Sequence, residues 1–154
     1  MNSVPLVYEK LDPSLPDLEY QTDGAAGFDL CFSKIPDYGF GGSHVTLKPG
    51  ERTFVHSGVR FDIPEGFEIQ IRSRGSVGAK RGLTVAHGVG TVDCDYKGEV
   101  VIPILNTSTQ NQQMVHGDRI AQAVLAPVTR AVLTPGVVEV DTERGEGGFG
   151  STGR

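Results

Sequence analysis

Glu68-Ile69-Gln70-Ile71-Arg72 alternates polar and apolar residues with a period of two, the pattern of a strand that buries one face, here Ile69 and Ile71, and leaves Arg72 on the other. Apolar residues spaced at helical intervals are scarce elsewhere in the chain. Upstream of it, Val55, Val59, Phe61 and Ile63 mark one or two strands that follow a Leu47-Lys48-Pro49-Gly50-Glu51 turn and end at Pro64-Glu65-Gly66. Residues 83–92 carry Gly88 and Gly90 and predict a hairpin. Residues 100–105 form a continuous apolar run, as in a strand buried on both faces, with Pro103 placing it at an edge or a bulge. Further strands are predicted at 120–128 and 132–140, and toward the N-terminus at 4–8 and after Gly27-Phe28-Asp29-Leu30. Between these, 12–17 reads as an exposed, proline-bearing connection, and 36–43, with Gly39, Gly41 and Gly42, as a loop longer than a hairpin requires. A tally of roughly ten strands suits an all-β sandwich or jelly roll better than an open sheet. No internal repeat or second domain is visible.

A length of 154 residues is enough for one domain with a real core, and the 21 glycines and 9 prolines fit many short strands joined by turns. The net charge of −5 argues against a nucleic-acid polymer as partner, although a local group of arginines still suits a small anion. Cys31 and Cys94 match no metal-ligand spacing and read as reduced thiols of an intracellular protein. No apolar run is long enough to cross a bilayer, so the expectation is a cytoplasmic protein without membrane contact, in the host cytoplasm if the gene is viral.

The chemistry sits in the turns and in the tail. Arg144-Gly145-Glu146-Gly147-Gly148-Phe149-Gly150-Ser151-Thr152-Gly153 joins a guanidinium, an aromatic ring, two hydroxyls and backbone amides freed by glycine. Those are the parts of a nucleotide clamp, although composition alone favours a glycine-rich disordered tail or linker. Asp93 and Asp95 flank Cys94, and on an extended chain they point the same way; one then serves as a general base, or both bond their own turn. Arg74-Gly75-Ser76, followed by Lys80, offers cations, amides and a hydroxyl to a phosphate, or forms a solvated basic turn. In Gly117-Asp118-Arg119-Ile120-Ala121-Gln122, Asp118 and Arg119 read as an ion pair, and Gln122 as facing a ligand or satisfying a buried backbone group.

Taken in order, Ala26-Gly27-Phe28-Asp29-Leu30, 74–82, 90–99, 117–122 and 144–153 closely resemble the five motifs of the trimeric dUTPases, the third and fifth most specifically. The resemblance implies a jelly-roll subunit, a homotrimer, and sites assembled from motifs of different subunits. It also implies a hydrolase domain at 1–140 and a flexible arm at 141–154 that closes over a neighbour's site.

By that resemblance the substrate is dUTP and the products are dUMP and pyrophosphate. Asp93 is the catalytic aspartate, orienting and deprotonating the attacking water while meeting the 3′-hydroxyl. Asp29 contacts Mg²⁺ through water, the ion being held mainly by the triphosphate. Tyr96 packs on the deoxyribose and excludes a 2′-hydroxyl. The 83–92 segment, including His87, Gly90, Thr91 and Val92, reads uracil through backbone groups. Arg74, Gly75, Ser76 and Gln122 hold phosphates. Arg144 forks onto the γ-phosphate, Phe149 stacks on the base, and the Gly150, Ser151 and Thr152 amides bind phosphate oxygens. Stacking of about 1–3 kcal/mol and charge-assisted hydrogen bonds of about 1.5–3 kcal/mol offset the ordering of a floppy tail, so closure depends on substrate.

The chain departs from the family pattern in three places. Arg74-Gly75-Ser76 stands where arginine-serine-glycine is usual, His87 stands where an asparagine commonly helps to hold uracil, and the 36–43 loop is an apparent insertion that offers either plain surface or a contact for a protein partner. Two other readings remain: a dCTP deaminase-like enzyme, which requires a glutamate near the base, and a regulatory or binding protein that keeps the dUTPase fold.

Overall fold

Short apolar-alternating segments bounded by glycine and proline cannot bury a face alone, and here they do so by pairing into antiparallel sheets around one core. The structure, a computed structural model of the chain, describes residues 3–35 and 42–149. It contains eleven strands: β1 (Val7–Lys10), β2 (Phe28–Cys31), β3 (His44–Leu47), β4 (Arg52–His56), β5 (Val59–Asp62), β6 (Phe67–Ser73), β7 (Leu83–Val85), β8 (Gly90–Val92), β9 (Val101–Asn106), β10 (Gln112–Val115) and β11 (Arg119–Pro127). A short helical turn spans Val77–Arg81. Strands β2, β11, β6 and β8 form a four-stranded sheet and β4, β9 and β7 a three-stranded one, while β1 pairs with β5 and β10 with β3.

The alternation in β6 is realised as expected, with Ile69 and Ile71 buried and Arg72 exposed. Both isoleucines join one cluster with Leu30 and Phe32, Val55, Leu83 and Val85, and Ile102 and Ile104, which spans the two larger sheets. Each such side chain contributes about 1.5–3 kcal/mol by leaving water.

Four expectations change. The first strand is Val7–Lys10, three residues later than 4–8, because its register is set by pairing Val7 with Asp62 and Lys10 with Val59. Residues 83–92 are not a hairpin: β7 pairs with β9 and β8 with β6, so the Gly88 turn carries the chain from one sheet to the other. The run 100–105 is not buried on both faces. Ile102 and Ile104 are buried, whereas Val101 is exposed and Pro103 and Leu105 only half-buried. Nor is β9 an edge strand, since β4 and β7 flank it. Pro103 is tolerated because the β7 ladder ends at Val85, opposite Ile104, and one residue on the strands are joined by the Ala86 N–H donating to the Pro103 carbonyl at 2.8 Å, so the proline costs a single bond at the end of the ladder.

Finally, 132–140 forms no strand. Val132 and Leu133 are 91% exposed, Val137 96% and Val138 82%. β-branched residues favour a strand only where a partner edge is available, and this segment pairs with none of the described strands. The 36–43 insertion falls largely outside the described residues.

Strand β6 holds two groups of polar residues apart. Arg74 leaves its C-terminal end, while β8 runs antiparallel along it, Gly90 opposite Ile71 and Val92 opposite Ile69, and delivers Asp93 to the other end.

Candidate functional site

A cationic cluster gathers where β2, β11 and the end of β6 meet. Gln122 stands between Asp29 on β2 and Arg72 on β6, and its amide nitrogen donates to the Ser73 carbonyl at 2.9 Å, tying down the strand end from which Arg74 emerges. Of the two roles open to Gln122, the backbone-satisfying one is seen. Asp29, its side chain 15% exposed, accepts from Arg74 Nε at 2.6 Å and Arg119 Nη1 at 3.3 Å. One carboxylate thus aligns two guanidiniums. Arg74 also reaches Ser76 Oγ at 3.4 Å, and the same cleft is lined by Lys80, Arg81, Asp118 and Arg119. Four cations face two carboxylates here, which leaves the cleft with an excess of positive charge in an otherwise acidic protein.

Asp118 does not pair with Arg119. It bonds Arg81 at 3.4 Å and the Val115 N–H at 3.2 Å. An irregularity between Arg119 and Ala121 in the β2 pairing accompanies the turn of Arg119 toward Asp29 and Gln21. Arg81 and Arg119 are members of the cluster that sequence reasoning missed. Their signal was cation density within the second and fourth motifs, but partners lying 37 and 90 residues away in sequence hid it.

The second region is a cavity of about 210 Å³ along β6, running from Ile71 and Gly90 toward Asp93 at the opposite end of the strand, and bounded by Ile71, His87, Gly90, Thr91, Val92, Asp93 and Tyr96 and by residues 100–103. Its floor is apolar, its rim polar, the usual make-up of a small-molecule site. The His87 ring packs across Gly90, and a Cβ there would lie 2.7 Å from its Cε1, so a larger residue at 90 would push the exposed ring aside. Asp93 begins a turn, with the Tyr96 N–H donating to its carbonyl at 3.1 Å. The extended geometry that would aim Asp93 and Asp95 the same way therefore does not apply. Tyr96 Oη donates to the Glu99 carbonyl at 2.8 Å and the ring lies over Gly98, which fixes its orientation at the cavity wall.

These two regions do not meet within one chain. Asp93 stands level with Glu68 and Arg74 lies six residues further along the strand, about 20 Å away at 3.3 Å per residue. Of the sequence-derived candidates, the fold groups Asp29, Arg74, Ser76 and Gln122 in one place, and His87, Gly90, Thr91, Val92, Asp93 and Tyr96 in another. Gly75 lies exposed between Arg74 and the helical turn. The tail lines neither region: Arg144 Nε bonds the Gly147 carbonyl at 2.9 Å and Phe149 is fully exposed. Gly150, Ser151 and Thr152 lie outside the described residues. No group of three ligating side chains suited to a metal occurs among the described residues, and no described helix is long and apolar enough to cross a membrane.

The dUTPase family model matches residues 14–153. The chain is 50% identical over 135 residues to the deoxyuridine 5′-triphosphate nucleotidohydrolase of Rhizobium rhizogenes, covering 87% of this chain and 83% of that protein. It is 46% identical over 143 residues to the protein of the same name from Methylocella silvestris, covering 90% and 84%. A mutant dUTPase of Staphylococcus bacteriophage 80alpha, solved with dUpNHpp, shares the fold at a TM-score of 0.81 and 24% identity, over 99% of this chain and 100% of that one. A second mutant of that phage protein aligns at a TM-score of 0.75 and 26% identity, over 96% and 98%. The eleven strands and the ordered motifs agree with these matches along almost the whole chain, and the chain belongs to the dUTPase family.

Proposed function

We propose that the chain is a dUTP diphosphatase that hydrolyses dUTP to dUMP and pyrophosphate, working as a homotrimer whose sites each combine residues of different copies. The observation that carries this reading is the separation along β6. Asp93, at the far edge of a cavity fit for a deoxynucleoside, and Arg74, in a cleft fit for its phosphates, stand about 20 Å apart along one chain, too far to act on one reacting group. Bringing the cavity of one copy against the cleft of another completes a site. The half-exposed outer face of β9 and β4, with Val101 and Phe54, and the exposed apolar segment 132–140 are surfaces that such an assembly would cover.

In the completed site, Tyr96 packs on the deoxyribose and rejects a ribose by leaving no space for a further hydroxyl. The His87 to Val92 segment reads the uracil edge. Asp93, exposed at the rim, takes a proton from water and aims the oxygen at the α-phosphorus. A phosphorus–oxygen bond forms to the water oxygen, the bond to the bridging oxygen breaks, and pyrophosphate leaves into the Arg74, Ser76, Arg81 and Arg119 cleft.

Asp29 has both oxygens engaged by arginines yet keeps lone pairs for a metal-bound water. With no three-ligand cage among the described residues, Mg²⁺ fits as an ion carried by the triphosphate and met by Asp29 through water, where it would neutralise phosphate charge. The 141–154 arm, with Arg144 and Phe149, closes over the bound nucleotide. No glutamate lines the described cavity within one chain, which favours hydrolysis over deamination of cytosine.

The test is incubation of the purified protein with dUTP, UTP, dCTP and dTTP in Mg²⁺, with products identified. Rapid dUMP and pyrophosphate from dUTP alone support the reading. Ammonia from dCTP, or tight dUTP binding without turnover, overturns it.

A further inference from the structure

We infer that Glu99 is a positioning residue for the reaction, anchoring Tyr96 and through it the turn that presents Asp93. The inference rests on the reading that the Asp93 and Tyr96 cavity receives the deoxyribose. Between β8 and β9 the chain has no strand pairing, and Asp93 and Tyr96 are both exposed. Something must therefore hold this side of the cavity in a single shape before substrate arrives.

Glu99 is built for that task. Its carboxylate, 19% exposed, accepts from the Gly58 N–H at 2.8 Å on Oε1 and sits 2.7 Å from His56 Nδ1 on Oε2. Its carbonyl accepts the Tyr96 hydroxyl at 2.8 Å. The donor it grips is itself tied down, because the Gly58 carbonyl accepts the Leu11 N–H at 2.7 Å and the Asp12 N–H at 3.2 Å. Backbone bonds from Ser57 to Val100 and from Val100 to Val59 secure the chain just beyond, whatever the side chain at 99. The carboxylate adds a fixed position for residue 99 itself, and so for the carbonyl on which Tyr96 hangs. The other tie on this segment, Lys97 to Asp62 and the Cys94 carbonyl, joins exposed side chains and restrains little.

The experiment compares Glu99→Ala, Glu99→Gln and His56→Ala in the full chain, measuring kcat and KM for dUTP and UTP beside thermal unfolding. Misplacing a substrate-orienting group by an ångström costs up to about 100-fold. Glu99→Ala is therefore expected to lower kcat/KM for dUTP by about 10–100-fold and to narrow the preference for dUTP over UTP. Glu99→Gln, which still offers an oxygen to the Gly58 N–H, is expected to recover most of both, and His56→Ala to fall between. A folded Glu99→Ala protein with wild-type kcat, KM and dUTP/UTP ratio overturns the inference, even if its melting temperature falls. If Glu99→Ala does not fold, an unchanged ratio in His56→Ala overturns it instead. Asp93→Asn, assayed alongside, separates the two readings: full turnover by that variant removes the cavity reading itself, whatever Glu99 does.

Discussion

Two variants that are each inactive should restore activity to one another when they share an oligomer. Asp93→Asn removes the proposed base while leaving the arginine cleft intact. Arg74→Ala opens the cleft but leaves the cavity intact, and Asp29 keeps its bond to Arg119. Strand register sets the distance: Val92 opposite Ile69 puts Asp93 beside Glu68, whereas Arg74 follows Ser73, so about 20 Å of strand separates them. If Asp93 of one copy works with Arg74 of the next around a cyclic trimer, every mixed trimer contains one intact site of three. Mixed trimers should then run at about one third of the wild-type rate, and an unsorted equal mixture, in which about three quarters of trimers are mixed, at about one quarter. The assay is co-refolding of differently tagged variants, isolation of doubly tagged oligomers and initial-rate measurement of dUTP hydrolysis. Confirmed mixed oligomers with no more activity than their parents would refute the argument, because Asp93 and Arg74 would then serve the same chain's site.

The same geometry sets three further outcomes. Asp12 accepts from the Ser14 N–H and hydroxyl, from Ser33 Oγ at 2.6 Å and from His116 Nε2 at 3.0 Å, and those hydrogen bonds, led by the Ser14 hydroxyl, hold its carboxyl well below the usual carboxylate range. Because the folded state lowers this pKa, the stabilisation is complete above the unfolded value near pH 4 and is lost as pH falls from there. Asp12→Ala should cost about 1–3 kcal/mol at pH 7 by urea unfolding, and the difference from wild type should shrink in acid; a constant difference contradicts the assignment. Deleting the residues after Asp141 should cripple turnover with little change in melting temperature, and a fully active truncation refutes the clamp. Cys31 is buried, and burial raises its thiol pKa, so a thiol reagent at pH 8 should label it only on unfolding; rapid native labelling at that residue counts against the core described.

What could be read in advance was local. Ile69 and Ile71 announced their strand because a period of two needs no knowledge of the partner. The motif segments around Asp29, Arg74, Asp93 and Gln122 stood out because their residue types are chemically distinctive over a few positions. What stayed hidden depended on remote neighbours. Gly88 and Gly90 mark a turn but do not say that the strands on either side join different sheets. The apolar run 100–105 looked doubly buried because sequence does not distinguish a face covered by the same chain from one left at its surface. The same holds for 132–140, whose valines and leucine have no cover among the described residues. Asp118 and Arg119 are adjacent and oppositely charged, yet each bonds a distant partner, since neighbouring side chains on extended backbone diverge. The grip of Glu99 on Gly58, 41 residues away, carried no local sign at all.

The claim at the centre is that Asp93 aims water at the α-phosphorus, and the oxygen that water donates records where it attacked. Single-turnover hydrolysis of dUTP in ¹⁸O-labelled water, by the wild-type protein and by Asp93→Asn, reads this directly. Attack at the α-phosphorus puts the label in dUMP and none in pyrophosphate, with the single turnover abolished in the variant while dUTP binding persists. Label in pyrophosphate, or an undiminished single turnover by Asp93→Asn, would contradict it.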